Sequence, residues 1–201
     1  MLPTVSESET SAPTGVPSLT DRLNAQWHKP AVIALSLLVL AHWCILGIRA
    51  IDLYVMGRSV TDAESLLGVV FSGVADYAYA LLALIALWVL RPGFVGRSRL
   101  WWTAAFWIMA WVHLEYALLA YQIVAGRYLF GAAQPTCVLQ LLGLTRLLEV
   151  NLLYGALATA PMIVALYLHR FPRPAEAARM QCTCAVERLR VSGEGEMASR
   201  S

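Results

Sequence analysis

Residues 101–124 read WWTAAFWIMAWVHLEYALLAYQIV. The stretch is almost wholly apolar and long enough to cross a bilayer as a helix, which takes roughly 20 residues. Three polar groups, His113, Glu115 and Gln122, interrupt its second half. Ionisable groups inside a membrane span are costly, and each is by default a hypothesis about function.

Composition agrees with a membrane chain. Of the 201 residues, 59% are hydrophobic and 14% charged, where a soluble domain carries about 25% charged residues. Lys29 is the single lysine, and the arginines sit at the ends of apolar runs. No basic face of the kind that binds nucleic acid is formed. Cys44, Cys137, Cys182 and Cys184 are scattered, which is no disulfide framework.

Three further runs resemble the first in length and polarity. Residues 31–53 follow Pro30, which suits a first helical turn, with Trp27 and Lys29 as interfacial anchors. His42, Arg49 and Asp52 lie within this run, and Arg49 and Asp52 are spaced to pair along one face. Residues 71–90 contain Asp76, Tyr77 and Tyr79 and stop at Arg91-Pro92-Gly93. Residues 148–168 contain Glu149, Asn151 and Tyr154, with a kink expected at Pro161. The expected fold is therefore all-α, a polytopic membrane protein built as a four-transmembrane-helix bundle over residues 27–173. Short outer interfacial helices are expected after the first and third spans. One starts at the Thr61–Glu64 capping box and one behind Thr136, in CVLQLLGLTRLL. Residues 1–26, rich in Ser, Thr and Pro, read as a disordered tail without the features of a signal peptide. Residues 174–201 read as a polar tail.

Basic residues in the short connections set orientation. Arg22, Lys29, Arg91, Arg97, Arg99, Arg170 and Arg173 fall on one side, and Arg58, Arg127 and Arg146 on the other. This places both termini in the cytoplasm and the chain in the inner membrane. Trp27, Trp88, Trp101 and Trp102 then mark the inner boundary, and Tyr54, Tyr121 and Tyr128 the outer one. A faint repeat supports two tandem hairpins: Val55-Met-Gly57-Arg58 follows the first span and Val124-Ala-Gly126-Arg127 the third.

Depth follows from the helical rise of 1.5 Å per residue, which puts His42 and His113 each roughly 18 Å from the inner boundary. Glu115 comes at roughly 21 Å, Asp76 at 22 Å, and Asn151 and Arg49 at 28 Å by the same rise. The polar cluster His42, Arg49, Asp52, Asp76, His113, Glu115, Gln122, Glu149 and Asn151 therefore occupies mid-depth and the outer half. His113 and Glu115 point roughly 200° apart, whereas Glu115, Leu119 and Gln122 share a face. His42 and His113 fit interhelical hydrogen bonding, a haem or metal ion held with Glu115, or a proton- or ligand-handling cavity with Asp76 and Glu115. Arg49 is expected to be neutralised by Asp52, Asp76 or Glu149. Glu115 is expected to be neutral or hydrogen-bonded to His42 or to a tyrosine of the second or fourth span. Cys182-Thr-Cys184 offers a soft-metal pair but reads as incidental on a flexible tail.

The segments QWHKP, AHW, HLEYALL from His113, and LEVNLLY from Leu148 resemble an uncharacterised bacterial family of four-span membrane proteins. That resemblance implies a His-x-x-Glu-His pattern in spans one and three and Glu-x-His in span four. His42, Glu115 and Glu149 match it. Ile45, Leu46, Val112, Tyr116 and Asn151 stand at the other positions. If the family binds a metal, this chain lacks most of the ligands, and the resemblance implies no particular activity. The functional expectation is a non-enzymatic accessory or assembly subunit or small-ligand binder, with no cofactor. Its partners would be the lipid bilayer and a larger membrane complex or homo-oligomer. The alternatives are a haem or metal redox enzyme using His42, His113 and Glu115, and a transporter subunit with Asp76 and Glu115 in the path.

Overall fold

A computed structural model describes residues 19–57, 69–141, 147–180 and 182. Among the described residues every regular element is helical. Four long helices, α1 (Leu19–Tyr54), α2 (Val69–Leu90), α3 (Gly96–Ala125) and α4 (Leu147–Arg170), each contain a segment long and apolar enough to span a membrane. The all-α four-helix bundle expected from the sequence is the fold observed.

The bundle is held by stripes at helical spacing. α3 buries Trp102, Ala105, Phe106, Met109, Val112, Tyr116 and Leu119 along one side. α2 presents Ala80, Ala83, Leu87 and Leu90, and α4 presents Val150, Tyr154, Ala158, Met162 and Ala165. Small residues recur in these stripes, which lets backbones approach where no hydrophobic force separates protein from lipid. Gly155 is one such point: a Cβ there would stand 3.3 Å from the Trp43 ring of α1. The Trp43 indole donates to Thr159 Oγ1 at 3.0 Å, which ties α1 to α4. The α3–α4 and α2–α3 interfaces are the most extensive. In the most apolar stretch of each span 22% to 39% of the residues are buried, and the rest are partly or fully exposed, as a lipid-solvated bundle requires.

Several details differ from the sequence reading. α1 begins at Leu19, inside the stretch expected to be a disordered tail. Its polar first turns are anchored by Asn24, whose Nδ2 donates to Thr20 O at 2.7 Å and to Val89 O of α2 at 2.8 Å. Pro30 lies inside this helix and does not open it. Trp102 is not an interfacial anchor: it is fully buried, stacks on Phe94 at 4.0 Å and donates to Leu87 O at 2.9 Å. Trp27, Trp88 and Trp101 remain exposed at the same end.

The faint repeat has a conformational basis. α1 and α3 are each followed by a glycine in the left-handed region, Gly57 at φ 63° and Gly126 at φ 59°, where other residues are strained. The Thr61–Glu64 capping box lies outside the described residues. The short helix expected behind Thr136 is a single turn, Val138–Leu141, with 142–146 outside the described residues. Thr136 does not cap it; its hydroxyl donates to Gln134 O.

Candidate functional site

Four spans place the described ends of α1 and α4 at one end of the bundle and the 126–138 connection at the other. At the connection end, α3 turns Glu115, Leu119 and Gln122 inward together, and all three are buried. Glu115, 1% exposed, accepts the Val138 N–H at 2.9 Å through Oε2 and the Tyr154 hydroxyl at 3.2 Å through Oε1. Tyr154 itself accepts from the Trp111 indole at 3.1 Å. The hydrogen bond expected to a tyrosine of the fourth span is thus present. Glu115 also caps the turn that starts at Val138, satisfying an amide that a helix start leaves without an internal acceptor.

Gln122 gathers the rest of the connection. Its Nε2 donates to Leu118 O at 3.2 Å and Thr136 O at 2.9 Å. Its Oε1 accepts from Leu129 N at 3.1 Å and Thr136 N at 3.2 Å. Cys137 is buried behind this clasp, and burial pushes its thiol up, which makes it a poor nucleophile. At the same level Tyr54 donates to Glu149 Oε1 at 2.8 Å.

One helix pair away, Arg49 Nη1 meets Asp76 Oδ2 at 3.2 Å, so Asp76 is the partner among the three carboxylates proposed for it. The pairing runs from α1 to α2 and not along one face to Asp52. His42 Nδ1 stands 4.0 Å from the other Asp76 oxygen, and its ring lies flat on Tyr79 at 3.8 Å. Asp76 is therefore shared between a guanidinium and an imidazole in a buried position, the arrangement under which an intramembrane carboxylate is tolerated. His113 is half-buried and stacks on Tyr77 at 4.9 Å. Asn151 is buried, and its Oδ1 accepts no hydrogen bond from the described residues.

The polar groups read from the sequence thus form two separate clusters, Arg49–Asp76–His42 and Glu115–Tyr154–Gln122. His42, His113 and Glu115, the trio proposed for a metal or haem, do not converge among the described residues. Equal depth put the two histidines at one level, but each turns to a tyrosine of α2.

A third cluster lies at the opposite end and was not foreseen. His28, fully buried, and His169, 7% exposed, bring their rings to 5.2 Å, and both rings contact Phe94. Cys182, 1% exposed, places Sγ 3.5 Å from His169 Nε2. One ligating atom from each of the three residues lies within 4.8 Å of the other two. His28 reaches this position over Gly93, where any Cβ would collide with the imidazole.

Cys182 is brought there by a clasp on the connecting segment. Glu176 Oε1 accepts from Arg97 N at 3.0 Å and Arg97 Nε at 3.2 Å; Oε2 accepts from Arg97 Nη2 at 3.2 Å and Arg173 N at 3.0 Å. The Arg97 side chain, then the two backbone amides, hold the Glu176 carboxyl at about 2, well below its ordinary 4.5. The carboxylate also sits at the positive end of α3. Gly96, at φ 55°, leaves room for it; a Cβ there would press on Glu176. An open groove of 510 Å³, lined by Arg170, Phe171, Pro172 and Ala177, lies along the segment between His169 and Cys182.

Fold and geometry together define a four-span helical membrane protein with two internally paired polar clusters toward the connection end and a His–His–Cys group at the other. No protein-family model, curated protein or solved structure matches the chain.

Proposed function

We propose that the protein is an integral subunit of the inner membrane without catalytic activity of its own, an accessory or assembly component whose outer-half polar groups fix its shape. The observation that carries this reading is the way those groups are used. Asp76 is engaged by Arg49 and faced by His42, Glu115 by Tyr154 and Val138, Gln122 by three residues of the chain, and Glu149 by Tyr54. Carboxylates and amides spent on the fold are consistent with glue between spans and against a route for protons or ions. The redox alternative draws on His42, His113 and Glu115, and the stacking of both imidazoles on separate tyrosines weighs against it.

Mild solubilisation of native membranes tests the proposal. The chain is expected to migrate well above its 22.1 kDa mass with a stoichiometric partner or with further copies of itself. Loss of the chain should lower that partner's abundance. A Soret band that disappears in His42→Ala, or proton transport by the isolated chain that disappears in Asp76→Asn, would instead establish one of the alternatives.

We also propose that both termini face the cytoplasm, on the strength of the seven basic residues at that end against three at the other. An alkaline phosphatase fusion at Ser201 is expected to be inactive and one after Gly131 active; the reverse pattern refutes the orientation.

A further inference from the structure

The His28–His169–Cys182 group gathers ligand-type side chains that the outer-half network does not use. Two imidazoles and a thiol are the side chains that bind borderline and soft transition metals, and they are scarce in this chain: four histidines and four cysteines in 201 residues. Three of these eight meet in one buried cluster, drawn from the start of α1, the end of α4 and the segment beyond it. Their spacing suits a shared ion. Metal–nitrogen and metal–sulfur bonds of about 2.0 and 2.3 Å at a tetrahedral angle separate N from S by about 3.5 Å, which is the Cys182 Sγ to His169 Nε2 distance of 3.5 Å. The other separations in the group, all within 4.8 Å, close to ligand spacing by a movement of up to about 1.5 Å, which side-chain rotation can supply.

The surroundings are built for these three residues. Gly93 exists as glycine under the His28 ring, Phe94 packs between the two imidazoles and Trp102, and the Glu176 clasp fixes the segment that delivers Cys182. A thiol–imidazole contact serving the fold alone would need neither the second imidazole nor a glycine cut to fit it.

We propose that His28, His169 and Cys182 form a transition-metal site of the zinc class at the end of the bundle where the described chain enters and leaves. The ion joins the first span, the last span and the following segment, so metal binding locks the end of the bundle. The site is independent of the accessory role proposed above, since it uses none of the outer-half residues.

The test uses the full-length chain purified in detergent, loaded with zinc or cobalt(II) alone and freed of excess by gel filtration. One equivalent of zinc should be retained, and cobalt should give a thiolate-to-metal charge-transfer band. Cys182→Ser should abolish that band, and His169→Ala should weaken binding by more than about tenfold, the lower end of what loss of even an outer partner of a ligand costs. Cys44→Ser, at an exposed cysteine remote from the group, should leave both unchanged. A second measurement needs no substitution: zinc should protect Cys182 of the parent chain from alkylation, mapped by mass spectrometry, while the extent of labelling at Cys44 is the same with and without zinc. No retained metal, metal retained equally by Cys182→Ser, or Cys182 alkylated as fast with zinc as without it would each overturn the proposal.

Discussion

Replacing Glu115 by leucine tests whether the cluster at the connection end is structural. The side chains are of similar volume, so packing changes little and the loss is polar. Two donors are stranded. Tyr154 is 3% exposed, so an unsatisfied hydroxyl there costs about 1–3 kcal/mol, and the half-buried Val138 amide about 1 kcal/mol more. The sum, roughly 2–4 kcal/mol, is a shift of about 30- to 1000-fold in the unfolding equilibrium at 1.4 kcal/mol per decade. Glu115→Gln keeps one acceptor and turns an NH₂ toward the other donor, so it should cost about 1 kcal/mol. Tyr154→Phe removes one of the same two bonds. In the double variant with Glu115→Leu its loss should not add, leaving a coupling of about 1 kcal/mol. The assay is reversible unfolding in mixed detergent, read by tryptophan fluorescence, with hydrogen exchange of the Val138 amide as a local probe. A Glu115→Leu chain as stable as the parent, with unchanged exchange at Val138, would refute the reasoning. It would show that Glu115 is kept for something other than the fold.

Arg49→Leu should destabilise the chain by about 3 kcal/mol, the lower end for breaking a buried pair because Arg49 is 30% exposed. Arg49→Leu combined with Asp76→Leu should recover most of that loss, and thermal unfolding of the three variants decides it. Gly93→Ala should cost about 1–3 kcal/mol by forcing His28 and Asn24 aside. Gly47→Ala, where a Cβ meets nothing within 4 Å, should cost nothing in the same assay. The Glu176 clasp should carry a pH dependence of defined sign. Its carboxyl is depressed from 4.5 to about 2 in the folded chain, so its contribution is complete above about pH 4.5 and is lost as the pH falls toward 2. Labelling of Cys182 by a disulfide reagent that reacts in acid should rise across that window, and in Glu176→Gln it should be high and flat throughout.

The fold was legible because its signal is local. Four apolar runs of spanning length need no tertiary information, and each recurs as a helix within a few residues of its expected bounds except at the start of α1. That extension was missed because residues 19–30 are polar by composition and are held by contacts to α2 that no periodicity announces. The common level of His42 and His113 along the bundle was legible too, since rise per residue converts position along a span into height, and both rings meet tyrosines two positions apart on α2. So was the common inward face of Glu115, Leu119 and Gln122, which follows from 100° per residue. Which partner each group takes was not legible. Depth says that His42 and His113 share a level, but only the rotation and placement of neighbouring helices turn each toward its own tyrosine of α2.

The group at the other end was hidden for a different reason. His28 and His169 lie near opposite ends of the chain and just outside the expected bounds of the first and last spans, where polar residues are ordinary and draw no attention. An intramembrane charge is conspicuous because its cost is high; a histidine at the rim costs little and so signals little. The cue that was present is the conjunction at Arg91-Pro92-Gly93-Phe94. A glycine followed by a buried aromatic, in the short turn between α2 and α3, marks a place where other elements must come close. Even-numbered spans bring the first and last helices back to that same turn. Ligand-type residues near the start of the first helix, at the end of the last and beyond it are then gathered there, however distant in sequence. Depth counted from the membrane boundary favours the middle of each span, whereas closure of the bundle at its ends is what gathers His28, His169 and Cys182.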